Sequence, residues 1–205
     1  YAAALWALLC SGDVRLLGMG AEFVMFIRHG EKPGDDGPPH GIDHDGEHDP
    51  HALSVRGWTR AGALASHFTR LPNATQPQLV VPERVIATKA THDYHSKREV
   101  NTASPLAGRL GLDVDTSFEH DQVAQLAASV IGDSRTALIV WHHGSMVDLV
   151  RAFPIDNDRD LPDKWPHDRF DLIWVLSRDP GQASFRFTAL AQELLDGDSP
   201  IVSGE

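Results

Sequence analysis

The sequence predicts a single three-layer α/β domain: a mostly parallel sheet with helices on both faces. Short apolar runs such as Phe23–Ile27 and Thr136–Trp141 read as strands covered on both sides, the way strands of a parallel sheet are packed. Between such runs lie stretches with apolar residues at helical spacing, so strand and helix alternate along the chain. The chain has 205 residues, 41% hydrophobic and 23% charged, which suits one ordinary core. Residues 21–205 are expected to form that domain, with residues 1–20 as an N-terminal appendage.

Tyr1–Leu17 is rich in Ala and Leu and predicts a short helix closed by Gly18 and Gly20. The first strand spans Glu22–Ile27 and delivers Arg28 and His29, after which Gly30 permits a sharp turn and Pro33 ends the extended run. Pro33–Pro50 is rich in Gly, Pro, Asp and His and has no periodicity, which predicts a long loop. Leu53-Ser54 opens a helix with Ser54 as N-cap, in which Ala61, Leu64, Ala65 and Phe68 recur at helical spacing until Leu71-Pro72. Trp58 and His67 are read as packing residues of that helix. Pro72–Pro82 is a connecting loop, and Arg84–Ala87 is a second short strand ending at Thr88 and Lys89.

Ser96 is expected to cap the next helix, which Gly111 stops and Pro105 kinks or restarts. Asp113–Phe118 alternates weakly, as a short strand does, and Gln122–Ile131 reads as an amphipathic helix. Thr136–Trp141 is another buried strand, ending in His142-His143-Gly144-Ser145, with a helix from about Met146 to Phe153. A Pro/Asp-rich loop follows. Asp171–Ser177 and Ala183–Leu190, joined by an Asp-Pro-Gly turn, then predict an antiparallel hairpin.

Charge and cysteine content exclude several classes. The formal net charge of -11 argues against a surface built to neutralise nucleic-acid or anionic lipid backbones. Cys10 is the single cysteine, so the chain has no internal disulfide and no thiolate metal cage; a reducing, cytoplasmic location is the simplest fit. No apolar run approaches the roughly 18 residues of a spanning helix. The loop over residues 35–51 holds His40, His44, His48 and His51 with Asp43, Asp45, Glu47 and Asp49 between them. Imidazoles and carboxylates are both metal ligands, yet the closing Glu of a calcium loop is missing. The loop is read as a solvated acidic border of a pocket, with no metal assigned.

Two strands finish in a histidine-glycine turn, and two arginines stand just past strand ends. Arg28, His29, Arg98 and His143 thus converge on the carboxyl edge of the sheet, where open α/β folds place their ligands. A guanidinium offers a fork of donors matched to phosphate oxygens, and a neutral imidazole can attack phosphorus. For such an attack one ring nitrogen must be free while the other donates, preferably to a backbone carbonyl that fixes the tautomer.

In these features the sequence resembles the histidine phosphatase superfamily, which includes cofactor-dependent phosphoglycerate mutases. The family's Arg-His-Gly after the first strand is matched by Arg28-His29-Gly30. Its helix start is similar to Leu53-Ser54-Val55-Arg56-Gly57, with Ala61 and Leu64 in step. Its second arginine, four residues before a Thr-Ala pair, looks like Arg98 before Thr102-Ala103-Ser104-Pro105-Leu106-Ala107, and its strand-His-Gly turn looks like His143-Gly144. The likeness runs in order over residues 22–190.

The resemblance implies a phosphoglycerate mutase-like fold, with His29 as nucleophile forming a phosphohistidine and Arg28, Arg98 and His143 holding the transferring group. Glu119, with Asp121 second, is the position similar to the family's proton donor. His142 also stands at the clamp, though the following glycine favours His143. The arginines and the second histidine would supply the positive charge, so no cofactor or metal is implied. Departures are informative: the mutase pattern around the acid is absent, and no His-Asp pair follows the second histidine strand. The implied activity is hydrolysis of a phosphate monoester, on a small phosphorylated substrate or a phosphoprotein, with no nucleic-acid or membrane partner. A non-catalytic phosphate-binding or interaction module on the same fold, or a phosphomutase, is the alternative. Oligomeric state and substrate identity are not readable from these residues.

Overall fold

The computed structural model describes residues 21–35, 37–71 and 76–202. The expected N-terminal appendage, with its helix and Cys10, lies outside them. Among the described residues eight strands are present, in the order β1 Phe23–Arg28, β2 Gly41–Ile42, β3 Leu53–Ser54, β4 Arg84–Ala87, β5 Val114–Asp115, β6 Ala137–Trp141, β7 Leu172–Ser177 and β8 Arg186–Ala191. Four α-helices accompany them among the described residues: α1 Val55–Phe68, α2 Arg98–Leu110, α3 Val123–Ile131 and α4 Met146–Arg151. A single 3₁₀ turn, Asp158–Asp160, interrupts the long connection to β7.

Six strands form the main sheet in the order β5-β4-β6-β1-β7-β8. The β5, β4, β6 and β1 strands run parallel, while β7 pairs antiparallel with both β1 and β8. The expected mostly parallel sheet and its terminal hairpin are both present. Alternation along β1 divides the core: Val24 and Phe26 join one cluster with α3 and α4, and Met25 and Ile27 join the other with α1 and α2. Strands with apolar residues on both faces need helices on both faces, and the four helices meet that need.

Register decides where the strands end. Arg28 is paired with Trp141, and Ala87 with Val140, so His29 and His142 leave adjacent strands at one level and Thr88 leaves the next strand one residue earlier. The Thr88 hydroxyl accepts from the His142 backbone N–H at 3.1 Å, tying two of these ends together.

Local differences from the sequence reading have identifiable causes. Residues 33–50 are not wholly irregular, because Gly41–Ile42 pairs with Leu53–Ser54 in a small two-stranded sheet, and Trp58 Nε1 donates to the Ile42 carbonyl at 2.7 Å. Ser54 caps α1 as expected, accepting from the Gly57 N–H. Lys97, not Ser96, is the N-cap residue of α2; the Ser96 hydroxyl donates to Glu99 Oε2 at 2.7 Å. The α2 helix also runs unbroken through Pro105 to the left-handed Gly111. An interior proline costs about 3 kcal/mol. Thr102, Ala103, Leu106 and Ala107 on the buried face of α2 outweigh it through packing.

Candidate active site

The strand ends gather Arg28, His29 and His143, and the first turn of α2 adds Arg98. His29 is 3% exposed, and its Nδ1 lies 2.7 Å from the Gly30 carbonyl oxygen. A carbonyl can only accept, so Nδ1 carries the proton and Nε2 keeps its lone pair. Gly30 is itself held by the buried Thr102 on α2, whose hydroxyl accepts from the Gly30 N–H at 2.9 Å and donates to the Arg98 carbonyl at 2.7 Å. One side chain thereby links the turn that orients His29 to the turn that carries Arg98. Gly30 also has no room for a side chain, since a Cβ would stand 2.8 Å from the Gly57 carbonyl oxygen.

Arg28 is 1% exposed, with its guanidinium carbon 4.1 Å from the centre of the Phe170 ring and one NH group donating to the His167 carbonyl. Arg98 reaches the Pro50 carbonyl at a long 3.4 Å. The His143 ring stands 6.3 Å from the His29 ring at 78°, and 5.9 Å from that of His167. His142 turns the other way, against Tyr94 at 5.1 Å and His120 at 5.6 Å, and presses on Gly144, where a Cβ would lie 2.6 Å from its ring. The ring beside His29 is therefore that of His143. Among the described residues, six buried side-chain nitrogens lack a hydrogen-bond partner; three of them, Arg28 Nε, Arg98 Nε and His143 Nδ1, belong to this group, and a fourth, His142 Nδ1, is on the adjoining ring. Buried donors normally find partners, so this concentration marks a place suited to an acceptor-rich ligand.

Burial governs the charges. Desolvation pushes the His29 imidazole down to about 4 and that of His143 to about 3, with Arg28 adding to both shifts. Both rings are neutral near pH 7. That corrects the expectation that the second histidine supplies positive charge, because loss of hydration in a pocket already holding Arg28 disfavours a further cation. Arg28 is lowered by burial only to about 10 and stays charged. Glu99, fully buried one residue after Arg98, accepts from Tyr94 Oη and Ser96 Oγ at 2.7 Å each. Burial opposes its ionisation, but His29 in its protonated form at low pH and these two hydrogen bonds prevail and lower its pKa. The site is thus two guanidinium groups, two neutral imidazoles and one buried carboxylate.

Glu119 is not brought into this group. Its half-exposed carboxylate faces Lys89 at 3.8 Å, and it makes no hydrogen bond or ion pair with Arg28, His29, Arg98 or His143. Asp121 is exposed as well. The sequence reading missed His167, Asp168 and Phe170, which lie in the aperiodic connection before β7, and it missed Tyr94 and Glu99. Only Glu99 had a usable signal, a carboxylate directly after Arg98 in a helix first turn. In the His-rich loop, Asp43, His44 and Asp45 each place a ligand atom within 4.8 Å of the others, at the surface.

No family model matches the sequence, and no curated protein matches it. Among solved structures, the chain is similar to a candidate phosphohistidine phosphatase, SixA of Agrobacterium tumefaciens, with a TM-score of 0.50 and 17% identity over 83% of this chain and 98% of that one. The fold is that of the histidine phosphatases. A mycobacterial protein named hydrolase 1 aligns at 18% identity with a TM-score of 0.45, over 82% of this chain and 97% of that one. In the histidine phosphatase fold seen here, Arg28, His29 and His143 stand at the carboxyl ends of the central strands β1 and β6. Among the described residues, no helix is long and apolar enough to cross a membrane.

Proposed function

We propose that this protein is a phosphatase that hydrolyses a phosphate monoester through a phosphohistidine on His29. The observation that carries the reading is the His29 imidazole, held by its Nδ1 against the Gly30 carbonyl at 2.7 Å, which leaves Nε2 as a neutral nucleophile beside Arg28 and His143. Arg28 and Arg98 hold the equatorial oxygens of the phosphoryl group, where charge is concentrated in the transition state. His143 donates a hydrogen bond to the bound phosphoryl group as a neutral imidazole. Water then attacks the phosphohistidine, releasing phosphate and restoring His29.

The two guanidinium groups supply the electrostatic stabilisation, so the reaction proceeds without a metal. The substrate is a small phosphorylated compound or a phosphoprotein, met by a local positive cluster on an acidic molecule. Phosphate release from an aryl phosphate in excess chelator tests this reading. Activity in the wild type that disappears in His29→Ala, with covalent phosphate trapped on the wild type alone, is the expected result. Full activity in His29→Ala would overturn it.

A further inference from the structure

Phosphoryl transfer to His29 leaves one step without a residue, the protonation of the departing oxygen. Most polar groups near the site are unsuited to it. The His29 and His143 rings are neutral, the Glu99 carboxylate is ionised and occupied by two donors, and Tyr94 already gives its proton to Glu99. Glu119 faces Lys89.

His167 differs from all of these. Its segment lies over the clamp, with its carbonyl accepting from Arg28 and its ring 5.9 Å from that of His143. The ring is exposed and makes no hydrogen bond or ion pair among the described residues. Two cavities meet at this residue. One, of about 410 Å³, is bounded by Arg28, Pro33, Pro39 and Phe170; the other, of about 310 Å³, is bounded by His143, Val147, Arg151 and Trp165; His167 lines both. A substituent on a phosphate held between Arg28 and His143 that extends into either cavity comes alongside His167, which lines both. Its segment is also anchored, through Trp165 Nε1 donating to the Arg169 carbonyl at 2.9 Å and the Arg169 guanidinium on Asp171.

We propose that His167 is the proton donor to the leaving group, and the acceptor of a proton from water in the second half of the reaction. This rests on the phosphohistidine reading above. In the first half, the bond from His29 Nε2 to phosphorus forms as the phosphorus–oxygen ester bond breaks, and the His167 imidazolium passes its proton to the leaving oxygen, releasing a neutral alcohol. In the second half, neutral His167 takes a proton from water as its oxygen bonds to phosphorus and the nitrogen–phosphorus bond breaks. Phosphate leaves, and both residues return to their starting states.

Leaving-group dependence separates a proton donor from a structural residue. An acidic phenol such as dinitrophenol needs no proton to depart, whereas phenol does. For His167→Ala and His167→Gln, kcat/KM for phenyl phosphate should fall about 10²-fold or more, while that for dinitrophenyl phosphate falls less than about 5-fold. The Arg28 contact is to the backbone of residue 167, so either substitution keeps the acceptor, and the retained dinitrophenyl activity reports intact folding. Equal losses on both esters, or no loss on either, overturn the assignment. The same differential appearing in Asp168→Asn or Glu119→Gln, and not at His167, would also overturn it. A wild type inactive on both esters, or a fully active His29→Ala, would instead remove the phosphatase reading itself.

Discussion

Thr102→Val removes one hydroxyl from the centre of the site and changes little else. Thr102 is 2% exposed, and the added methyl occupies the space of the hydroxyl, so no cavity opens. What is lost is polar. The Gly30 N–H, now 2.9 Å from the hydroxyl oxygen, would be left buried without an acceptor, at a cost of about 1–3 kcal/mol. The Arg98 carbonyl loses a donor at 2.7 Å, but it lies within a helix where a backbone N–H also serves it, so this loss adds little. Burying an extra methyl recovers about 0.8 kcal/mol at most. The net expectation is destabilisation of about 1–2 kcal/mol, which in a domain of this size lowers the melting midpoint by about 2–8 °C. Thr102→Ser retains the hydroxyl and should lose only the methyl contribution, about 1 kcal/mol. Urea and thermal unfolding of the three proteins, followed by the same two probes, checks both values. Because Gly30 also carries the carbonyl that orients His29, kcat should fall further in the valine variant than in the serine variant. A valine variant as stable and as active as the wild type would refute the role given to this hydroxyl.

The depressed proton affinity of His29 predicts the acid limb of the pH profile. Attack requires the neutral ring, so kcat/KM, which reports the free enzyme, should hold through pH 5 and fall as pH drops through about 4; a limb near 6.5 would show that burial does not set this ionisation. Arg60 is buried between Glu31 and Asp198, both at 2.7 Å. Burial opposes ionisation of Asp198, but the Arg60 hydrogen bond and the backbone N–H groups of Leu195 and Leu194 prevail and lower its pKa to about 2. A folded pKa below the unfolded value contributes stability that is fully present above about pH 4 and is lost as pH falls through about 2, here about 2 kcal/mol. Asp198→Asn should therefore destabilise the protein at pH 7 by about 3 kcal/mol or more, by leaving Arg60 incompletely paired, and should flatten the pH dependence of stability between pH 4 and 2. Denaturant midpoints of both proteins across that range check the sign.

The layered architecture, and the edge of the sheet at which the histidines stand, follow from local patterns in the chain. Runs such as Phe23–Ile27 and the terminal Leu172–Ser177 strand were legible because burial on both faces demands apolar residues at every position, a demand met locally. Arg28, His29, Arg98 and His143 were legible for a related reason: each follows directly on a strand or helix signal, so its place in the fold is inherited from its neighbours. The remaining features depend on contacts between residues far apart in the chain. His167, Asp168 and Phe170 sit in a segment without periodicity, brought over Arg28 by contacts across more than a hundred residues. That His143 and not His142 faces His29 likewise depends on how Tyr94 and His120 fill the opposite side. The continuity of α2 through Pro105 depends on packing that no local rule contains. The neutral state of His29 and His143 belongs here too, since the cost of charging a ring is summed over everything that excludes water from it.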